Sequence, residues 1–264
     1  HDIIVSPDNK GYFFVGIDYP NDLFVQLADK QLNSENQTIV YSNVTDPGYR
    51  FVTLHAALSK KNELGIIGNL VSDDGGYNIW FQKVDADGKP VIKKGKTFKY
   101  VGYKVANQII PTLDGNFAVT GGYQQDKNSE KDMILGIIDS DGTGKMSSMR
   151  AKQNFTGCDL FELPGGNFEI LTASESLDNP DFSEIGLKLV DRDINPLNCA
   201  IDLVGKMRTP DLKLFPPRML VVKDGYILLS HIFNGIDSDI ALLWIDRSGA
   251  VLLRKEEIKR PGDQ

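Results

Sequence analysis

The sequence predicts an all-β fold built from five consecutive units of four antiparallel strands. Three observations predict it. One aspartate ends an apolar, strand-length segment five times along the chain, turn residues follow it, and 25 glycines and 12 prolines punctuate many short apolar runs. With 264 residues, 41% of them apolar, the chain can bury a substantial core.

The marker aspartates are Asp29, Asp85, Asp139, Asp191 and Asp246, and seven residues before each a polar residue opens the strand: Asp22, Asn78, Asp132, Glu184 and Asp239. Turn residues follow most fully in Asp85-Ala86-Asp87-Gly88, Asp139-Ser140-Asp141-Gly142 and Asp246-Arg247-Ser248-Gly249, where a carboxylate can accept from nearby amides and Gly can take positive φ. After Asp29 and Asp191 the glycine is missing, so those two turns are expected to be longer or differently closed.

A second strand precedes each marker strand: Gly11 to Gly16, Glu63 to Gly68, Asn116 to Gly121, Asn167 to Thr172 and Tyr226 to His231. Another apolar segment lies before it, at Ile3 to Val5, Leu54 to Leu58, Gln108 to Ile110, Leu160 to Leu163 and Met219 to Val222, and a more polar fourth strand follows the aspartate turn. In chain order the strands of each unit are A, B, C and D. Successive markers are 56, 54, 52 and 55 residues apart, a pitch longer than a typical WD40 repeat and near a kelch repeat.

Four-stranded units at this pitch read as blades of a five-bladed β-propeller, approximately residues 1–47, 48–102, 103–156, 157–210 and 211–264 of one domain. A β-sandwich also has short strands and regular turns, but gives no reason for one Asp at the same offset five times. Because the chain starts in a strand A and ends in a strand D, no blade is expected to combine strands from both termini.

The repeating Asp-Gly turn, apolar strand, variable loop, Asp-led strand and Asp-x-x-Gly turn resembles the repeats of bacterial secreted and lipid-anchored surface propellers, across essentially the whole chain. The resemblance implies blade construction and carries no chemistry. Kelch repeats match less well, since paired glycines occur only at Gly121-Gly122 and the regular later tryptophan is missing.

The net charge is −7 and the basic residues are scattered, which removes the electrostatic footprint of a nucleic-acid binder. No apolar run is long enough for a transmembrane helix. His1 stands where an initiator Met would, so an export signal removed upstream, with a secreted, periplasmic or cell-surface location and an upstream lipid anchor, is the expectation. Cys158 and Cys199 are the only cysteines; three strand steps separate them by about 14 Å, so both are expected free.

In a propeller the B-to-C and D-to-A connections gather at one rim. Each B-to-C loop holds one aromatic, Tyr19, Tyr77, Tyr123, Phe182 or Phe233, beside acids that include Asp18, Asp74, Asp126 and Asp237. Aromatic faces next to carboxylates suit a sugar, whose C–H face stacks while its hydroxyls bond, and they also serve a protein ligand. Packing of each aromatic beneath its own loop is the competing reading.

Ser72-Asp73-Asp74-Gly75-Gly76-Tyr77-Asn78-Ile79-Trp80 resembles the Asp-box of sialidases, a structural hairpin, but has Asn78 for the box's Thr and one extra residue before Trp80. Asp85 to Lys89 and Asp139 to Gly144 resemble fragments of a calcium loop without the terminal bidentate Glu, so neither metal nor cofactor is expected. Of the three histidines, His1, His55 and His231, none lies in a metal spacing or beside a nucleophile motif.

Two functions follow. The first is a non-catalytic surface or secreted binding module for a glycan or protein ligand at the B-to-C rim, with no catalytic residue. The alternative is a glycoside hydrolase using paired carboxylates at the channel mouth, drawn from Asp18, Asp74, Asp126 and Asp237. The inner strands contain Glu162 and His55 but show no shared acidic position, which favours the module.

Overall fold

The computed structural model describes residues 2–5, 11–18, 22–33, 39–41, 47–99, 102–126, 129–149, 154–175, 183–197, 201–202, 213–214, 217–233 and 238–256. The chain divides into two compact units, His1–Ser129 with Ile134–Ser147, and Glu130–Met133 with Ser148–Gln264.

The first unit holds two sheets and nearly all of a third, each ordered as in the chain. Sheet one comprises β1 (Asp2–Val5), β2 (Gly11–Asp18), β3 (Asp22–Asp29) and β4 (Ile39–Tyr41). Sheet two comprises β5 (Tyr49–Leu58), β6 (Leu64–Ser72), β7 (Tyr77–Val84) and β8 (Lys96–Phe98). Sheet three comprises β9 (Tyr103–Pro111), β10 (Phe117–Gln124), β11 (Lys131–Ile138) and β12 (Gly144–Met149).

The second unit holds sheet four, with β13 (Asn154–Glu162), β14 (Phe168–Glu175), β15 (Ser183–Val190) and β16 (Ile201–Asp202). Its other sheet has β17 (Lys213–Leu214), β18 (Arg218–Val222), β19 (Gly225–Phe233), β20 (Ser238–Asp246) and β21 (Val251–Glu256). This fifth sheet departs from four strands because β17 and β18 both pair with β19, one after the other. Pro217 precedes β18, and a residue without an N–H cannot continue the ladder. Every strand described in the fifth sheet comes from the last part of the chain.

The sheet-two strand β6 is buried on both faces, which explains its apolar run Leu64–Gly68. Leu64, Ile66 and Leu70 pack with Phe13, Val15, Leu23 and Val25 of sheet one, whereas Ile67 joins Ile109, Phe117 and Val119 of sheet three. Trp80 is fully buried and meets Phe51 edge-on at 5.1 Å between ring centroids. In the second unit Leu171, Ile185 and Leu187 of sheet four pack against Tyr226, Leu228, Leu243 and Ile245 of the fifth sheet.

All five marker aspartates close their hairpins alike, which corrects the expectation of two different turns. Each aspartate N–H donates to the carbonyl four residues on, and each aspartate carbonyl accepts from the N–H three residues on. That third residue has positive φ: 78° at Gly88, 78° at Gly142 and 82° at Gly249, but also 65° at Leu32 and 65° at Ile194. A side chain in this region costs energy, most of all a β-branched one. The two turns without glycine share a second clasp, since Asn33 Nδ2 donates to Asp29 Oδ2 and Asn195 Nδ2 donates to Asp191 Oδ2, both at 2.9 Å.

In four of the five turns the aspartate Oδ1 accepts from the amides two and four residues on. Those oxygens are spent on the turn itself. The Asn33 and Asn195 side chains lower the pKa of Asp29 and Asp191 below the ordinary value.

Candidate functional site

Pairing registers define one equivalent position on the first strand of each sheet. Val15, Ile67, Thr120, Leu171 and Leu229 each lie four residues into the second strand from Gly11, Glu63, Asn116, Asn167 and Gly225, and they face Asp2, His55, Gln108, Asp159 and Arg218. A polar side chain occupies this position in every sheet. The first unit contributes Asp2, His55 and Gln108; the second contributes Asp159 and Arg218.

Two of these are acids at one shared position, which corrects the expectation that the inner strands have none. The first strands are also longer than the apolar segments suggested. In sheets three and four a β-bulge immediately precedes the position, so that the register skips Asn107 before Gln108 and Cys158 before Asp159. Bulges re-aim side chains and recur beside active sites.

Asp2 and Asp159 make matching contacts. Asp2 Oδ1 accepts from Ile3 N–H at 3.0 Å and Oδ2 from Ala56 N–H at 2.9 Å, the residue after His55 on the neighbouring first strand. Asp159 Oδ1 accepts from Leu160 N–H at 2.9 Å and Oδ2 from Met219 N–H at 2.8 Å, the residue after Arg218. Asp2 is half-buried, whereas Asp159 is buried. The thiol of Cys158, free and buried beside Asp159, is pushed up to about 12 by desolvation.

Sheets two and three are tied by Asn69, which imitates a backbone pair. Its Nδ2 donates to Ala106 O at 2.8 Å and its Oδ1 accepts from Ala106 N–H at 2.7 Å, so both backbone groups of a buried residue beside the bulge are satisfied.

The structure describes some of the rim residues named from the sequence. Tyr19, Phe182 and Asp237 lie outside the described residues, and Phe233 ends β19 opposite Ser238. Asp18 is exposed and faces Asp22 across the end of a hairpin. Exposed Asp126 sits in a turn where its N–H donates to Ser129 Oγ at 2.9 Å. Asp74 is committed to the Asp-box-like turn: Ser72 Oγ and Gly76 N–H both bond its Oδ1, and the Ser72 contact lowers its pKa.

Tyr77 and Tyr123 lie in strands rather than loops, and their neighbours were not legible as site residues. The rings of Tyr77 and Tyr103 are 6.1 Å apart and tilted by 48°. Lys104 Nζ lies 5.0 Å from the centroid of the Tyr123 ring, and burial draws its ammonium down to about 8. All four residues border the start of β9. Only Tyr103 next to Lys104 in the sequence, at the head of an alternating strand, hinted at it.

Among the described residues no cluster of three or more His, Cys, Asp or Glu could hold a metal ion, and no helix is long and apolar enough to cross a membrane.

No family model matches the sequence, and no curated protein matches it. Solved structures match over nearly the full length. A protein of unknown function from Dyadobacter fermentans is 11% identical, with 98% of this chain and 82% of that chain covered and a TM-score of 0.62. A thermostable family-43 glycoside hydrolase is 12% identical, with 99% and 94% covered and a TM-score of 0.55. CoXyl43, a family-43 β-xylosidase/α-arabinofuranosidase from a compost metagenome solved with xylotriose, is 9% identical, with 95% and 92% covered and a TM-score of 0.52. Likeness at this identity shows the fold, an all-β propeller of antiparallel sheets. Two of these three matches are named as family-43 glycoside hydrolases, and this corrects the expectation of a non-catalytic binding module.

Proposed function

We propose that the chain is a five-bladed, four-strand-per-blade propeller of glycoside hydrolase type, acting on pentose-containing oligosaccharides, with Asp2 as a catalytic carboxylate of the first unit. One observation carries the reading: a polar residue occupies the same first-strand position in every sheet, and in sheet one it is the acid Asp2. Glycoside hydrolysis needs a carboxylate that attacks the sugar or activates water. Two backbone amides orient Asp2, and an ionised carboxylate keeps further lone pairs for a substrate water. His55 and Gln108, at the same position on the neighbouring first strands, are the flanking hydrogen-bonding groups, with His55 a proton carrier by residue type. Activity on an external polymer also fits the exported, lipid-anchored propellers that the repeat resembles.

The matching contacts of Asp159 favour a second role for this position, a tie between neighbouring first strands. Asp2→Asn separates the two. Turnover of 4-nitrophenyl arabinofuranoside and xyloside and of the corresponding trisaccharides is measured beside thermal melting. The catalytic reading expects a loss of about 100-fold or more with melting little changed. No turnover of any of these by the parent protein, or full activity in Asp2→Asn, refutes it.

A further inference from the structure

We propose that the start of β9 carries a saccharide-binding subsite in which the rings of Tyr77 and Tyr103 stack against sugar and Lys104, lying over Tyr123, donates to its hydroxyls. The subsite rests on the carbohydrate reading above and adds to it a docking point outside the first-strand position.

The tyrosines of this chain fall into two kinds. Tyr226 is structural: it is buried, its hydroxyl donates to Glu169 Oε1 at 2.6 Å and accepts from Arg247 Nη1 at 2.9 Å, and Arg247 lies over its ring. Tyr77, Tyr103 and Tyr123 are all half-buried, and among the described residues no group hydrogen-bonds their hydroxyls. A tyrosine with an apolar body packed on protein and an uncommitted polar tip is suited to an amphipathic partner. Three of them around the start of β9 form more than a lone surface aromatic.

The local backbone explains their grouping. Tyr123 faces Lys104 in the β9–β10 register, and its ring packs over Gly102, where an added Cβ would come within 2.8 Å of it. Tyr103 meets Tyr77 from the neighbouring sheet at 6.1 Å. Lys104 is only 8% exposed, so its ammonium is held by protein in one place and loses little freedom on bonding a ligand. Tilted rings with donors at their edges match a pyranose or furanose, whose C–H faces need apolar cover and whose hydroxyls need polar partners.

The test measures xylotriose and arabinotriose binding by calorimetry in the Asp2→Asn background, where turnover does not consume the ligand. Tyr103→Ala and Tyr77→Ala are expected to weaken binding at least tenfold, Tyr103→Phe and Tyr77→Phe about threefold. Ring-proton shifts of labelled tyrosine on titration report the contact directly and survive any loss of stability in the alanine variants. If the trisaccharides bind but these variants bind as tightly as their parent and the ring protons stay put, the subsite is wrong while the hydrolase reading stands. If neither trisaccharide binds or is hydrolysed by the parent protein, both fall.

Discussion

Replacing Leu32 by glycine should stabilise this protein, although it removes a leucine. Leu32 holds φ at 65° and its residue is 63% exposed, so glycine relieves a left-handed backbone while giving up little burial. The relief is about 1–2 kcal/mol. Against it stands the greater freedom of glycine in the unfolded chain, about 0.5–1 kcal/mol. The net gain is about 0.5–1 kcal/mol, or about 1–3 °C in melting temperature for a chain of this size. Ile194 has the same φ of 65° but is 7% exposed, and burying an isoleucine contributes about 1.5–3 kcal/mol. Ile194→Gly should therefore destabilise by about 1 kcal/mol or more. Urea unfolding followed by circular dichroism, with Gly88→Ala as the reverse control, measures all three. If Leu32→Gly lowers stability, or Gly88→Ala leaves it unchanged, positive φ does not govern these turns.

Asn69→Ala leaves both backbone groups of Ala106 without their partner and should cost about 2–4 kcal/mol, read from urea midpoints, whereas Thr53→Val, which removes only the Asn69 contact to Thr53, should cost less. Because the Asp29 and Asp191 pKa values are lowered in the folded chain, their contribution is complete above the unfolded value of 3.8 and is lost as pH falls through the folded values. Melting scans should accordingly show the Asn33→Ala penalty at pH 7 and little of it at pH 2; an equal penalty at both would disprove the linkage. With its thiol raised to about 12 in a buried site, Cys158 should resist iodoacetamide at pH 8 in the native protein and react once urea unfolds the chain, as peptide mapping would show.

The turns were legible because their causes are local. An aspartate followed three residues on by glycine closes a hairpin through near-neighbour hydrogen bonds, and so Asp85, Asp139 and Asp246, with Asp29 and Asp191 at the same pitch, announced five repeats. Even there Leu32 and Ile194 misled, since the compensation by Asn33 and Asn195 is a side-chain clasp and glycine was the signal read. The rim acid Asp74 looked chemical from its loop, yet its oxygen belongs to the turn.

The shared position of Asp2 and Asp159 is a different kind of fact. Asp2, His55, Gln108 and Asp159 each lie nine residues before the start of the following strand, so an offset existed in the sequence. It stands at seven for Arg218, where the hairpin turn is shorter, and it shows only once the strand starts are known. Only strand pairing, with a bulge shifting the register by one residue before Gln108 and Asp159, decides which side chains hold the equivalent position of each sheet. The meeting of Tyr77 with Tyr103 depends on contact between two sheets, residues 26 apart in the chain. The sequence by itself determined the all-β class, the repeat and the turn closures, because those obey periodicity and near-neighbour hydrogen bonding. Tertiary structure alone decided which polar residues stand together, because that placement follows from long-range pairing and packing, which no local window contains.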